Sequence, residues 1–172
     1  MKHLAAANVN RIPLIGKLLF VFCAVGVFAA DQISKMAIIS SMGVNESIPV
    51  LRDFFHLTLI YNTGASFGLL QDKSRIFIVM NVLIIVFISL VVFFSADITV
   101  AGRALLGLIA GGAAGNVADR LQYGAVVDFL DFRGIWHYIF NVADMAVVCA
   151  GILFALVIIL SKEAPAKAKP KH

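Results

Sequence analysis

Residues 76–94 read IFIVMNVLIIVFISLVVFF, a run in which Asn81 and Ser89 are the only polar side chains. The hydrocarbon core of a bilayer, about 30 Å thick, is crossed by roughly 20 helical residues, and this stretch has the length and composition of one crossing. Three further stretches follow the same rule with polar interruptions. Residues 18–39 carry Asp31, Gln32, Ser34 and Lys35. Residues 103–123 are apolar from Ala104 to Ala118 except for Asn116, then meet Asp119 and Arg120. Residues 142–160 carry Asp144 in their first turn. The whole chain of 172 residues is 61% hydrophobic and 14% charged, where a soluble domain carries about 25% charged residues. Its mean hydropathy is +0.96. Such a chain has too little polar surface to coat a water-soluble globule, so much of its exterior faces lipid. Cys23 and Cys149 both lie in apolar runs and read as small hydrophobes, which excludes a disulfide framework or a cysteine metal cage.

The expected architecture is therefore an all-α membrane protein of one domain, residues 1–161, with four transmembrane helices at about 18–39, 76–94, 103–123 and 142–160. A basic tail, 162–172, follows and reads as a solvated end. Four crossings place both termini on one side. The terminal side holds Lys2, Arg11, Lys17, Arg103, Lys162, Lys167, Lys169 and Lys171 against two acids, Asp97 and Glu163, while the other side holds six basic residues against eight acidic ones. By the positive-inside rule both termini are cytoplasmic. The pI near 9.3 then reflects topology, and no nucleic-acid partner is implied. The basic start followed by an apolar run has some features of a cleavable export signal; the run is read here as a retained crossing.

Between the first two crossings, Phe55, Leu57, Leu59 and Tyr61 alternate with His56, Thr58 and Ile60, and Asn62-Thr63-Gly64 supplies turn chemistry. That pattern predicts a small extracytoplasmic β-hairpin or sheet. The linker between helices three and four contains Asp128 and the headgroup-favouring residues Trp136, His137 and Tyr138.

Ionisable side chains within membrane helices are costly and mark functional sites. The predicted topology gathers Asp31, Lys35, Asn116, Asp119, Arg120, Asp128, Asn141 and Asp144 at one membrane face. Asp31 and Lys35, four apart, read as an internal ion pair. Gly107, Gly111 and Gly115 recur every four residues and let a neighbouring helix approach closely, which gives Asn116 and Asp119 a packed neighbour in place of lipid. Asn141 and Asp144 have the spacing of an N-cap and its capping-box partner, so Asp144 reads equally as a cap or as a catalytic acid. Taken singly, Asp128 is a linker carboxylate and Asp131 a solvated one. Two carboxylates beside one apolar surface share a proton, because adjacent like charges do not both ionise cheaply there. One then activates water while the other protonates an amide. The same residues leave open an ion-coupled transporter or channel component relaying charge through Asp31, Asp119 and Asp144. They also leave open a metal-dependent transferase using Asp119, Asp128 and Asp131, and a purely structural subunit.

Five blocks, Asp31-Gln32-Ile33-Ser34-Lys35, Asn62-Thr63-Gly64-Ala65-Ser66-Phe67, Gly115-Asn116-Val117-Ala118-Asp119-Arg120, Val126-Val127-Asp128-Phe129 and Phe140-Asn141-Val142-Ala143-Asp144, resemble in content and order those of bacterial lipoprotein signal peptidase, signal peptidase II. The resemblance spans residues 31–144. It implies an intramembrane aspartic endopeptidase that removes signal peptides from prolipoproteins just before a diacylglyceryl-modified cysteine, with no metal or other cofactor. It further implies catalysis by Asp128 and Asp144, and a substrate or inhibitor pocket lined by Asn62, Gly64, Asn116, Arg120 and Asn141. Asp31 and Lys35 match a pair that serves activity or stability. By the same resemblance the partners are the lipid-modified precursor, membrane lipid and globomycin-type inhibitors, and the location is the bacterial cytoplasmic membrane with the site at its outer face.

Overall fold

The computed structural model of the chain describes residues 11–52, 54–64 and 74–163, the side chains of 11–13 and 161–163 excepted. Ala65, Ser66 and Phe67 of the second block and the tail from 164 onward lie outside the described residues. In chain order the elements are α1 (Arg11–Ser41), β1 (Ser47–Leu51), β2 (Phe55–Asn62), α2 (Ser74–Phe94), α3 (Val100–Tyr123), β3 (Val126–Phe132), β4 (Ile139–Phe140) and α4 (Val142–Glu163). All four helices are long and apolar enough to cross a membrane. Helix α1 starts at Arg11, ahead of the expected residue 18, because helical hydrogen bonding continues past the end of the apolar stretch.

Helix α3 is the hub. Its spanning window is 56% buried, against 11–17% for the other three, and it packs against each of them, whereas α2 and α4 hardly meet. Small residues make this possible. Gly107 faces the backbone of Phe20, Gly111 that of Ala24 and Gly115 the carboxylate of Asp31, while Gly112 faces Ala143 of α4. A Cβ at any of these positions would collide with the neighbouring helix, so the helices meet at backbone contact distance. The outward sides of α1, α2 and α4 carry exposed Phe22, Leu83, Phe87 and Leu153, as lipid-facing surfaces do.

Both ends of α3 are closed locally. Thr99 Oγ1 accepts from Gly102 N at 3.0 Å, and Gly124, with φ +72°, returns its N–H to the Arg120 carbonyl. Arg103, counted from the sequence among the cations of the terminal side, is buried in the first turn. Its guanidinium donates to the carbonyls of Val92, Ser95 and Ile98, which caps the C-terminus of α2. Around it lies an apolar core of Phe20, Ile88, Val92, Leu106 and Ala110.

At the opposite end of the bundle, away from the start of α1 and the end of α4, sits an antiparallel four-stranded sheet in the order β1-β2-β3-β4. The expected hairpin is thus half of it. The stretch expected to be a linker is β3, which is buried along most of its length and pairs with β2 through Phe55↔Phe132, His56↔Asp131 and Tyr61↔Val127. An irregularity between Leu57 and Ile60 breaks the expected alternation, so that His56 and Leu59 are the buried residues of β2. Leu59 and Val127 pack with Met42 and so anchor the sheet to the end of α1.

Candidate active site

Asp128 lies on β3 and is 1% exposed. Its carboxylate accepts from Asn62 Nδ2 at 2.8 Å and Asn141 Nδ2 at 2.7 Å. Asp144 lies in the first turn of α4 and accepts from Asn116 Nδ2 at 2.8 Å. Asn141 joins the two acids. While its Nδ2 holds Asp128, its Oδ1 accepts from the Asp144 N–H at 2.8 Å, and its own N–H reaches Asp144 Oδ2 at 3.4 Å. The capping box expected from the spacing is formed, and its acid faces the same cavity as Asp128. Capping and a chemical role for Asp144 are therefore compatible.

A second cluster backs this pair. Lys35 Nζ lies 2.7 Å from both Asp31 and Asp119 and 3.3 Å from Asn116 Oδ1. The expected two-residue ion pair is thus a three-residue one, and Asn116 stands between it and Asp144. Buried charges persist only when their remaining hydrogen-bonding capacity is filled, and here it is. Asp31 Oδ1 accepts from Ala143 N at 2.9 Å, Asp119 Oδ2 from Val127 N at 3.0 Å and Asp119 Oδ1 from Gln32 Nε2 at 2.9 Å. Each acceptor ties down a neighbour of the pair: Ala143 precedes Asp144, and Val127 precedes Asp128.

Asn62 is set by a turn. Its Oδ1 accepts from Gly64 N at 2.9 Å, and Gly64 has φ +88° with the Phe77 ring where a side chain would go. Arg120 donates to the Asn116 carbonyl at 3.3 Å, stacks 5.1 Å from the centroid of Phe77 and leaves Nε buried without a partner among the described residues. Asn62, Asn116, Arg120, Asp128 and Asp144 all line one cavity of about 570 Å³, walled by α2, α3, α4 and β4. A second cavity of about 430 Å³ adjoins it at Phe140, Asp144 and Val148 and is walled by Phe132, Ile135, Trp136 and Met145.

Burial pushes the Asp128 carboxyl up to about 7. The charge of Asp144 adds to the rise, and the hydrogen bonds from Asn62 and Asn141 and the charge of Lys35 oppose it. The environment therefore suits a carboxyl that keeps or shares a proton near neutrality.

Two sequence expectations are corrected. Asp131 is buried rather than solvated, because β3 turns it toward β2, where it accepts from Thr58 Oγ1 at 2.8 Å and from Arg133 Nε at 3.0 Å. The oxygen ligands of the metal-site reading diverge, since Asp119 faces Lys35, Asp128 faces Asn62 and Asn141, and Asp131 faces Thr58. Asp119, which the sequence places on the packed face of the glycine repeat, pairs with Lys35, and Gln32, to which the sequence reading gives no role, donates to Asp119.

The signal peptidase (SPase) II family profile matches residues 23–160. The lipoprotein signal peptidase of Moorella thermoacetica is 43% identical over 141 residues, covering 82% of this chain and 93% of that protein. That of Pelotomaculum thermopropionicum is 44% identical over 153 residues, covering 89% and 99%. A solved structure described as a bacterial membrane enzyme, obtained by the in meso method, superposes with a TM-score of 0.78 at 27% identity, covering 88% of this chain and 94% of that one. The transporter alternative finds no support in these likenesses. Among the described residues, the end of the bundle remote from the sheet closes in the apolar core around Val92 and Leu106.

Proposed function

This chain belongs to the signal peptidase II family, aspartic proteases that cleave signal peptides from prolipoproteins, and we propose that Asp128 and Asp144 are its catalytic pair. The observation that carries this reading is the buried Asn141, whose Nδ2 donates to the Asp128 carboxylate and whose backbone N–H reaches that of Asp144, with both acids lining one cavity.

The pair carries one proton and holds one water. The ionised carboxylate takes a proton from the water as its oxygen attacks the scissile carbonyl, and the protonated carboxyl gives its proton to the developing oxyanion. As the tetrahedral intermediate collapses and the C–N bond breaks, the carboxyl that took the water's proton gives it to the leaving amine, and the other carboxylate takes back a hydroxyl proton from the intermediate, which restores the pair. Asn62, Asn116 and Asn141 fix the carboxyl rotamers before substrate arrives, so little reorganisation remains for the transition state. Lys35, with Asp31 and Asp119, holds the frame on which Asn116, Val127 and Ala143 sit. Arg120 presents donors to the cavity, where a substrate carbonyl or headgroup oxygen would lie.

The substrate is a precursor carrying a diacylglyceryl group on the cysteine after the cut. The gap between α2 and α4 lets its apolar segment reach the pair from the side while its acyl chains stay in lipid. The apolar cavity lined by Trp136 and Met145, which shares Asp144 with the first, suits an acyl chain. Globomycin-type inhibitors would occupy the polar cavity against the pair. The lysine and arginine distribution supports a reading with both termini in the cytoplasm and the sheet at the outer face of a bacterial cytoplasmic membrane.

The test is cleavage of a diacylglyceryl-modified precursor against its unlipidated form by the purified protein. The lipidated form is cut at the bond before the modified cysteine, with kcat/KM at least about a hundredfold above the unlipidated form, as buried acyl methylenes of about 0.8 kcal/mol each readily provide. Equal rates on both forms would overturn the lipid specificity.

A further inference from the structure

Beyond its first turn, which holds Ser74 and Arg75, helix α2 contains two polar side chains, Asn81 and Ser89. Ser89 is satisfied by its own helix, its hydroxyl donating to the Ile85 carbonyl at 2.8 Å. Asn81 has no hydrogen-bond partner among the described residues, although it is half-buried and lines the cavity that holds Asp128 and Asp144. A primary amide left unpaired at membrane depth is costly, so in an otherwise apolar helix its partner is expected to arrive with the ligand.

Its height in the cavity follows from two antiparallel helices. Phe77, Asn81 and Ile84 form the one face of α2 turned to the cavity. The Phe77 ring lies beside the Arg120 guanidinium, which sets the level of the two helices. One turn inward on each, about 6 Å, leads from Phe77 to Asn81 and from Arg120 to Asn116, the residue that holds Asp144. Asn81 thus stands at the level of the acid pair, on the facing wall.

The chemistry of a carboxamide selects what lies between. It offers donors and an acceptor together. Acyl chains offer neither. The ester oxygens of a diacylglyceryl group only accept, and a helical signal segment has already spent its backbone groups on itself. An extended peptide presents an N–H and a C=O on one edge of the same residue, which a carboxamide matches.

We propose that Asn81 binds the backbone of the precursor in extended form beside the scissile bond, pairing with the N–H and C=O of one residue on the signal-peptide side. This rests on the peptidase reading above and adds to it that the signal helix is unwound where it passes between α2 and the acid pair. Asn81 is then a substrate-binding residue on the wall opposite Asp128 and Asp144.

The experiment uses the full-length protein and diacylglyceryl-modified precursors in which one backbone N–H at a time, over the residues before the cut, is replaced by an ester oxygen. Asn81→Leu lowers kcat/KM by about tenfold, the size of a lost hydrogen bond or two, and Ser89→Leu leaves it unchanged. One ester position lowers the wild-type value by a similar factor and has little further effect on Asn81→Leu, the signature of a shared contact. The proposal is overturned if Asn81→Leu retains the wild-type value, if its loss adds in full to that of every ester position, or if no ester position affects the wild type. It is also overturned if the coupling appears instead with an ether-linked glyceryl group, which would assign the amide to the lipid. The wild type acting on unaltered precursor is the separate arm: silence there removes the peptidase reading itself, whereas the other outcomes leave that reading standing.

Discussion

The side chain of Asn141 caps α4 with its oxygen and holds Asp128 with its nitrogen, so one residue serves both the start of a helix and the spacing of an acid pair. That economy explains why Asp144 was ambiguous in the sequence, where a capping box and a catalytic acid have the same spacing. Asp128 was harder to read, because what raises its carboxyl to about 7 is burial on a strand, and burial on a strand is a tertiary property. The raised value has a stability cost with a definite sign. Below about pH 4 both folded and unfolded chains hold this proton; between about 4 and 7 the unfolded chain releases it while the folded one keeps it, so stability from this group is lost as pH rises, and the loss is complete above about 7. Asp128→Asn removes the titration. The melting temperature of the variant relative to wild type, measured in detergent, should rise steadily from pH 4.5 to 7.5. A difference that stays constant over that range would contradict the assigned burial of the Asp128 charge.

Helices and strands were unequally legible. The four helices announce themselves by uninterrupted apolar length, and the glycine repeat of α3 announces a close partner. Of the sheet only β2 did, through the alternation from Phe55 to Tyr61, because β1 is a short edge strand carrying Pro49, and β3, buried on both faces, lacks the alternation by which strands are recognised. The irregularity in β2 hid a further part of the register. The packing of α1 on α3 positions Lys35 between Asp31 and Asp119, so its integrity should govern the site. In Gly111→Ala the new methyl meets the Ala24 carbonyl; a loss of about 2 kcal/mol or more should lower the melting temperature and cleavage together. Gly151→Ala, which has open space around it, should change neither. Wild-type stability in Gly111→Ala would show that the two helices do not meet as closely as described.

Over the whole molecule, polar chemistry is confined to the sheet end, and the other end is closed by an apolar core and the buried Arg103 cap. Charge counting predicts which end faces which compartment, but not that groups from α1, α3, β3 and α4 would converge on Lys35 and Asn141, because that convergence depends on contacts between residues up to 112 positions apart. Orientation is testable in a background with Cys23 and Cys149 replaced. A membrane-impermeant thiol reagent added to intact spheroplasts should label Trp136→Cys, on the exposed β3–β4 connection, and should label Lys167→Cys only after permeabilisation; the reverse pattern would invert the topology. The central claim concerns the two acids and is tested most directly by single-turnover cleavage of a diacylglyceryl-modified precursor by purified wild type, Asp128→Asn and Asp144→Asn, each first shown to be folded in detergent. The account predicts cleavage before the modified cysteine by wild type and a rate at least about a thousandfold lower in each variant. A wild-type rate in either variant would contradict it.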